Sequence, residues 1–451
     1  MITSFKESYV FRQLAAIAAS GWLSLTAGFA YGFSAVLLPD LKEDENFPYN
    51  DNLGSWIASI TPLSMIVCCL CAGSIIDRFG RKVGHIILSM LSVISWVIIA
   101  FATNVTLLLI GRFVAGFSVG SNRPVTLVYL GEITSPKYRC YSLLCPSFSL
   151  SLGILLCHVI GGYISWRKSS YIYIVVNLLC LISLFFLKET PLWLISKGNI
   201  DEGIKSFIGF RGKGIEAESE LKLVLQRQNE KTDKYLMKDI FSLAFIKPFC
   251  TAILLAVVTQ FNGINSITFY AKEILGNTVK GEIDPFLLMI MYDIIRLLTF
   301  ILIFLCNKFI PRKILFIGVN ICCCISLFSL VAFLSLMNVS EYVWLAVTLI
   351  ILYTVFGSSI VVLAWTFIPE LFSGNLRGLG SGLSASISFL LLFVCVKISP
   401  GFMANYGEIY MYACFGLITA VTTIILCFLL PETNGRTLQD IEDTYKKNTT
   451  I

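Results

Sequence analysis

The chain has 451 residues, of which 56% are hydrophobic and only 14% charged, and its formal net charge is +6. Soluble domains carry about 25% charged residues, so this composition disfavours a soluble enzyme, a nucleic-acid-binding protein and a disordered chain. The 15 cysteines lie mostly in apolar runs, and with only two histidines a His-built metal centre is not expected. We therefore predict no enzymatic activity, no cofactor and no nucleic-acid partner.

Twelve runs of the chain are long and apolar enough to cross a bilayer, which takes about 20 residues each. They predict an all-α integral membrane protein. The spans lie near residues 13–38, 54–76, 83–103, 106–130, 141–164, 170–188, 247–273, 285–306, 313–336, 342–369, 379–401 and 408–430. One long polar joint divides them, so we predict a six-helix half over 1–188, a linker over 189–246, a second half over 247–430 and a tail over 431–451.

The linker and the loops carry most of the charge. The linker holds nine Lys/Arg and nine Asp/Glu, and residues 215–228 place apolar side chains at helical spacing, which predicts short surface helices. If the N-terminus is cytosolic, the inner loops and tails hold thirteen Lys/Arg against five on the outer side. Because cytoplasmic loops are enriched in Lys and Arg, both termini are predicted to lie in the cytosol and the chain in the cell membrane.

The two halves repeat the same charged motifs in the same order, at offsets of 230, 238 and 243 residues. The matching positions are Asp77 with Asn307, Glu132 with Glu370, and Glu189 with Glu432. After each middle glutamate an arginine follows seven residues later, Arg139 in one half and Arg377 in the other. Two related six-helix halves with a site between them are typical of secondary transporters that work by alternating access.

These charged residues fall at the predicted inner helix ends, where they form a candidate cytosolic gate. Carboxylates and guanidiniums there can pair across the two halves when the inner side is closed and separate when it opens. Each exposed pair contributes only ~0–1 kcal/mol, but several together bias a two-state equilibrium by about a few kcal/mol. The predicted gate residues are Asp77, Arg78, Arg81, Arg112, Glu132, Arg139, Glu189, Glu370, Arg377 and Glu432.

Several of these motifs resemble those of a known family. Residues 73–82 (GSIIDRFGRK) look like the loop signature of the major facilitator superfamily. Four further segments resemble motifs of its sugar porter branch, at residues 111–113, 189–194, 260–265 and 431–438. Within that branch the chain is most similar to insect facilitated trehalose transporters, on the strength of Pro146-Ser147-Phe148 and Val396-Lys397. The resemblance covers nearly the whole chain and implies the twelve-helix major facilitator fold, transport of a sugar and the same gate network.

Span seven carries the polar cluster expected of a sugar site. Sugar hydroxyls need amides and hydroxyls for hydrogen bonds and aromatic faces for the C–H surface, and Gly263 lets the helix bend within this cluster. The candidate residues in this span are Thr259, Gln260, Asn262, Asn265, Phe269 and Tyr270. Interhelical packing through hydrogen bonds is the alternative role for them. The resemblance adds Trp365 as a sugar-stacking tryptophan.

The chain departs from glucose carriers at other contact positions. Ser147 stands where those carriers have a span-five Gln, Thr259 replaces the first span-seven Gln, and Ser388 replaces a span-eleven Asn. A differently shaped site, such as one for a disaccharide, is therefore the hypothesis, with trehalose or a hexose as substrate class. An organic-ion carrier and a non-transporting nutrient sensor are the alternatives. The expected partners are the substrate and the bilayer, with the chain as a monomer.

The energy source is predicted from the charges inside the spans. Coupled sugar porters that resemble this family place an Asp in span one, where this chain has Gly32, so facilitated diffusion is favoured over proton-coupled symport. Asp293 and Arg296, three residues apart on one helical face, are predicted to form a structural ion pair, with a proton or ion site as the alternative. Arg123 is a further intramembrane cation that could pair with Asp293, hold an anionic ligand or extend toward the membrane surface.

Overall fold

The computed structural model describes residues 2–45, 47–229, 242–307, 309–372 and 377–432. Within these ranges the side chains at 2–8, 136, 137, 139–141, 216, 227–229, 243, 244, 369 and 377 are not described. The described residues form α-helices joined by short loops. Eleven helices are long and apolar enough to cross a membrane, and the shorter apolar helix over 245–261 brings the number to the twelve runs predicted from the sequence.

Nine helices precede residue 230. They are α1 (Ile2–Glu43), α2 (Asp51–Phe79), α3 (Arg81–Ala100), α4 (Val105–Ile133), α5 (Pro136–Tyr163), α6 (Trp166–Phe185), α7 (Pro191–Ser196), α8 (Ile200–Arg211) and α9 (Ile215–Asn229). The last three lie in the segment predicted as a linker with short helices, whose residues 230–241 lie outside the described part of the chain. α1, α2, α4 and α5 each contain an internal proline, which membrane helices tolerate because neighbouring helices and hydroxyl side chains can satisfy the freed backbone groups.

Eight further helices lie in the described residues from 242 onward. They are α10 (Leu243–Phe261), α11 (Ile264–Phe269), α12 (Ala271–Thr278), α13 (Pro285–Cys306), α14 (Arg312–Leu336), α15 (Val343–Phe367), α16 (Arg377–Tyr406) and α17 (Glu408–Leu429), with a 3₁₀ turn at Ile368–Glu370 after α15. The sequence predicts the seventh span over 247–273, and in the structure α10, α11 and α12 divide this segment. Of the predicted tail, residues 433–451 lie outside the described residues.

The chain divides into two compact units. Unit 1 comprises Met1–Ala30, Val67–Gly153 and Arg167–Asp233. Its core joins α1, α2, α4, α6 and α8, and the buried side chains include Leu23, Ile76, Tyr129, Leu184 and Phe210. The linker helix α8 thus buries an apolar face in this core, because Phe207 and Phe210 are each 3% exposed. The sequence predicts short surface helices in the linker from the pattern of residues 215–228, and α8 differs from that description because one of its faces is buried.

Unit 2 comprises Tyr31–Ile66, Ile154–Trp166 and Lys234–Ile451. In it α14 packs against α15 and α17, and α10 packs against α16. The unit also contains the last turns of α1 and α5 and the first half of α2, so these segments of the first six spans pack with helices of the second six. Ring contacts of Tyr31 with Phe269 and of Tyr163 with Phe286 are part of this packing.

Candidate functional site

The polar cluster of unit 2 is built around a break in the helix at Gly263. This residue has φ +90, a left-handed conformation that glycine adopts without a steric penalty. A β-carbon at this position would lie 2.4 Å from Phe415 and 2.6 Å from the Tyr353 hydroxyl, so no other residue fits. The bend predicted at Gly263 is therefore confirmed, and it separates α10 from α11.

Across this break three polar side chains form a chain of hydrogen bonds. Asn265 Nδ2 donates to Gln260 Oε1 at 2.7 Å, and Gln260 Nε2 donates to Ser388 Oγ on α16, also at 2.7 Å. All three residues are at most 8% exposed. Within the described part of the chain Asn265 Oδ1 has no hydrogen-bond partner, so this amide keeps an acceptor for a ligand hydroxyl.

The other span-seven residues are used differently. Asn262 Nδ2 donates to the Gly357 carbonyl at 3.0 Å, and the Thr259 hydroxyl donates to Leu255 of its own helix at 2.6 Å. Tyr270 donates to the Val396 carbonyl at 3.0 Å, and Phe269 is fully buried. These contacts favour a packing role for the four residues, which is the alternative that the sequence leaves open.

Trp365 on α15 is half-buried, and its ring lies 6.1 Å from the Phe389 ring at an interplanar angle of 39°. Phe389 directly follows Ser388 on α16. The tryptophan therefore lies against the same helix that binds Gln260, and its partly exposed ring can offer a face to the C–H surface of a sugar.

Unit 1 places Arg123 beside Ser147, two residues that the sequence analysis considers separately. Arg123 Nη2 donates to Ser147 Oγ at 2.9 Å, which joins α4 to α5. The hypothesis that Arg123 pairs with Asp293 is wrong, because Asp293 binds a histidine instead. The hydroxyl that replaces the family's span-five Gln is thus bound to a cation, and this arrangement departs from the one that the resemblance implies.

The charged motif of unit 1 forms a compact cluster around the start of α3. Glu132 Oε1 accepts from Arg81 Nε at 3.2 Å and from Arg81 Nη2 at 3.0 Å, and Asp77 lies 3.3 Å from the same guanidinium. The Glu189 carboxylate accepts from the backbone N–H groups of Arg81 and Lys82. Because a helix N-terminus carries a partial positive charge, this carboxylate stabilises α3.

Unit 2 repeats the arrangement at the start of α14. Arg312 Nη1 donates to Glu370 Oε1 at 2.6 Å, so this pair corresponds to that of Arg81 with Glu132. Glu432 Oε2 accepts from the Lys313 backbone N–H at 3.1 Å. The motif repeat read from the sequence is therefore confirmed in three dimensions. The partners differ from the prediction, because the described pairs join helices of the same half, whereas we expected pairs across the halves.

Two predicted gate residues are placed otherwise, and the side chains of two more are not described. Arg112 is fully buried and donates to the Ala30 carbonyl at 2.9 Å. Its assignment to the gate is wrong, because twenty residues of one helix, about 30 Å at 1.5 Å per residue, separate it from Glu132. The exposed Arg78 lies over the Phe79 ring. The side chains of Arg139 and Arg377 lie outside the described residues.

Glu189→Ala is expected to destabilise the folded protein by about 1–2 kcal/mol, because it removes the acceptor of several backbone N–H groups at a helix start. Besides Arg81 and Lys82, the Thr190 N–H donates to Glu189 at 2.9 Å. The measurement is the melting temperature of the detergent-solubilised protein. Glu218→Ala, at an exposed position of α9, is the control. Equal melting temperatures of the two variants would contradict this role.

The predicted ion pair between Asp293 and Arg296 is not formed in the described structure. Arg296 Nη1 donates to Thr268 Oγ1 at 2.7 Å, and Asp293 Oδ2 lies 2.5 Å from His158 Nδ1. The two side chains share a helical face, but tertiary partners on α11 and α5 bind them more closely. The sequence reasoning missed His158 because a lone histidine in an apolar run carries no spacing signal.

Lys397 is bound at the start of α2. Its ammonium donates to Ser55 Oγ at 2.7 Å and to Asn52 Oδ1 at 3.0 Å, and it lies 4.2 Å from the centre of the Trp56 ring. Hydrogen bonds and a cation–π contact thus satisfy this charge without a carboxylate. The contacts connect α2 to α16 within unit 2.

The fold and the repeated motifs define a membrane transporter of two related halves. The family model "Sugar (and other) transporter" matches residues 14–445, and the chain belongs to this family. The chain is 29% identical over 457 residues to the facilitated trehalose transporter Tret1 of Apis mellifera ligustica, covering 98% of this chain and 90% of the relative. It is also 29% identical over 443 residues to the protein of the same name from Culex quinquefasciatus, covering 96% and 85%.

Solved structures show the same fold. The proton:xylose symporter XylE bound to 6-bromo-6-deoxy-D-glucose matches with a TM-score of 0.81 at 20% identity, covering 97% of this chain and all of the other. The inward-open xylose transporter XylE from E. coli matches with a TM-score of 0.80 at 18% identity, covering 96% and 99%. The chain therefore has the major facilitator fold, as the resemblance of its motifs implies.

Proposed function

We propose that this protein carries a sugar of the trehalose or hexose class across the cell membrane by facilitated diffusion, with both termini in the cytosol. The observation that carries the proposal is the hydrogen-bonded amide chain of Asn265, Gln260 and Ser388 beside the half-buried Trp365. Amides and an aromatic face are the groups that bind sugar hydroxyls and C–H surfaces. Family membership and the names of the insect relatives support the same substrate class.

In this proposal the protein alternates between a state open to the outside and a state open to the cytosol. The carboxylate and arginine clusters at the starts of α3 and α14 keep the inner ends of each half together as rigid groups. Those clusters contain Arg81 with Glu132, and Arg312 with Glu370. Solute moves down its own gradient, and its transport involves no covalent chemistry.

Reconstitution into proteoliposomes tests the proposal. Vesicles preloaded with unlabelled trehalose, glucose or fructose are diluted into the labelled sugar at equal pH on both sides. We expect counterflow with one of these sugars, and empty vesicles serve as the control. Counterflow of an organic anion or cation without any sugar counterflow would overturn the sugar assignment in favour of an organic-ion carrier. Arg123→Gln would then be expected to reduce transport of an anion, because the substitution removes an intramembrane positive charge beside Ser147.

A further inference from the structure

A buried ionisable pair in unit 2 takes no part in the site described above. His158 on α5 is fully buried and Asp293 on α13 is 1% exposed. His158 Nδ1 lies 2.5 Å from Asp293 Oδ2, and His158 Nε2 lies 3.1 Å from the Gly32 carbonyl oxygen on α1. One imidazole thus connects α1 and α5 of the first six spans to α13 of the second six.

The atoms in contact fix how many protons the pair holds. A carbonyl oxygen only accepts, so the hydrogen between His158 Nε2 and Gly32 is on the imidazole. A second hydrogen must then lie between Nδ1 and the Asp293 oxygen, on either atom, because the Nδ1 lone pair would otherwise face a carboxylate lone pair. The pair in this geometry therefore binds one proton more than an ionised Asp293 beside a neutral His158.

We propose that His158 and Asp293 are a binding site for a single proton, and that the bound proton latches α1 and α5 to α13. When the proton leaves, the contact between Nδ1 and Oδ2 becomes repulsive and the latch opens. Asp293 then keeps a compensating charge nearby, because Arg296 lies one turn along α13. This compensation matters because an isolated charge is costly inside a membrane.

Other ionisable groups lie on the helices of the latch and on other helices of unit 2. On α13 the Tyr292 hydroxyl donates to the Ile264 carbonyl, and Arg296 donates to Thr268. The ionisable side chains on these and the other helices include Tyr31, Asp40 and Lys42 on α1, Cys157 and Tyr163 on α5, Lys272 and Glu273 on α12, Tyr353 on α15 and Tyr412 on α17. Glu273 is paired with Lys42 at 3.5 Å. Asp293 Oδ1 is buried and has no hydrogen-bond partner among the described residues.

The position of the pair determines where the proton exchanges. His158 lies five residues before the C-terminal end of α5, and Asp293 lies eight residues after the N-terminal end of α13. Each is therefore within about 12 Å of that end of its own helix. Opening of this end would separate α5 from α13 and hydrate the pair from that compartment only. The proton then binds and leaves on the same side, so it sets the rate of transport without being carried across.

The test rests on the proposed sugar transport and uses exchange at equal internal and external pH. We expect the exchange rate of the wild-type protein to rise with pH, by up to about tenfold per pH unit, which is the limit for one proton. Asp293→Asn is expected to be slow at every pH, because the amide donates to His158 Nδ1 without an added proton. His158→Phe is expected to be fast at every pH, because it cannot form the latch.

His85→Gln, which changes the chain's other histidine, is the control and is expected to keep the wild-type slope. A wild-type slope in Asp293→Asn would overturn the latch. Accumulation of sugar against its gradient, driven by a pH difference, would also overturn it, because the proton would then cross the membrane with the sugar.

A second measurement separates failure of the latch from failure of the proposed function. The folded pair, in the geometry described above, holds one proton more than a neutral imidazole beside an ionised carboxylate. The folded state then binds more protons, so the melting temperature should fall as pH rises. This fall should be absent in Asp293→Asn. If no sugar is exchanged at any pH, the sugar assignment fails, and the melting temperatures alone decide whether the latch exists.

Discussion

Replacing Gln260 with alanine is expected to reduce sugar uptake by about ten- to a hundredfold while the protein still reaches the membrane. The substitution removes the acceptor of the Asn265 amide and the donor to Ser388. A buried polar group left without its partner costs ~1–3 kcal/mol, and each 1.4 kcal/mol corresponds to a tenfold change in affinity. The loss should fall on substrate binding, because these amides are the groups assigned to the sugar hydroxyls.

The measurement is the initial rate of labelled sugar uptake, divided by the amount of protein at the surface of the expressing cells. Thr251→Val is the matched control on the same helix. Its hydroxyl is equally buried but donates only to the Lys247 carbonyl of α10, so uptake should be retained. Unchanged uptake kinetics in Gln260→Ala would refute the assignment of this amide to the substrate.

Gly263→Ala is expected to reduce the yield of folded protein severely and to abolish uptake. The new methyl group would lie 2.4 Å from Phe415 and 2.6 Å from the Tyr353 hydroxyl, at a φ of +90 that L-residues rarely adopt. Backbone strain and overpacking cost ~1–3 kcal/mol each. Their sum is a large part of the stability of a typical protein, which is about 5–15 kcal/mol.

The fraction of monodisperse protein after detergent extraction and its melting temperature measure this effect. Gly318→Ala is the control, because this glycine lies inside α14 and a β-carbon there would meet nothing within 4 Å. Alanine favours a helix over glycine by about 1 kcal/mol, so this variant should be at least as stable as the wild-type protein. Normal extraction and melting of Gly263→Ala would show that the break does not require glycine.

The membrane spans and the repeat could be predicted from the sequence because both depend on local signals. Runs of about 20 apolar residues identify a span whatever surrounds it. The motifs around Arg81 and Arg312 repeat in order, and their side chains make equivalent contacts in the two halves. In each half the guanidinium binds a glutamate, and a second carboxylate binds the N-terminus of the helix that contains or follows the arginine. Glu189 and Glu432 were predicted as gate residues, but their role as acceptors for helix N-termini follows only from their positions in space.

The partners of the intramembrane charges could not be predicted. Helical spacing suggested that Asp293 binds Arg296, yet a buried charge takes the partner with the best geometry and the lowest desolvation cost, which can come from any helix. For Asp293 that partner is His158, 135 residues earlier in the chain, and Arg123 donates a hydrogen bond to Ser147 on another helix. Arg112 was assigned to the gate from its motif alone, although its place twenty residues before Glu132 on one helix separates it from that cluster.

The sequence by itself determined that this chain spans the membrane as two related halves, and it identified the amides and the glycine around which a polar cluster forms. Hydropathy and the order of the motifs can be recognised in the sequence without knowledge of any tertiary contact. Only the tertiary structure decided that Gln260 binds Ser388 and Asn265, and that one imidazole joins Gly32 to Asp293. Inside a bilayer each polar group must find its partner within the protein, and which helices supply those partners is fixed by packing.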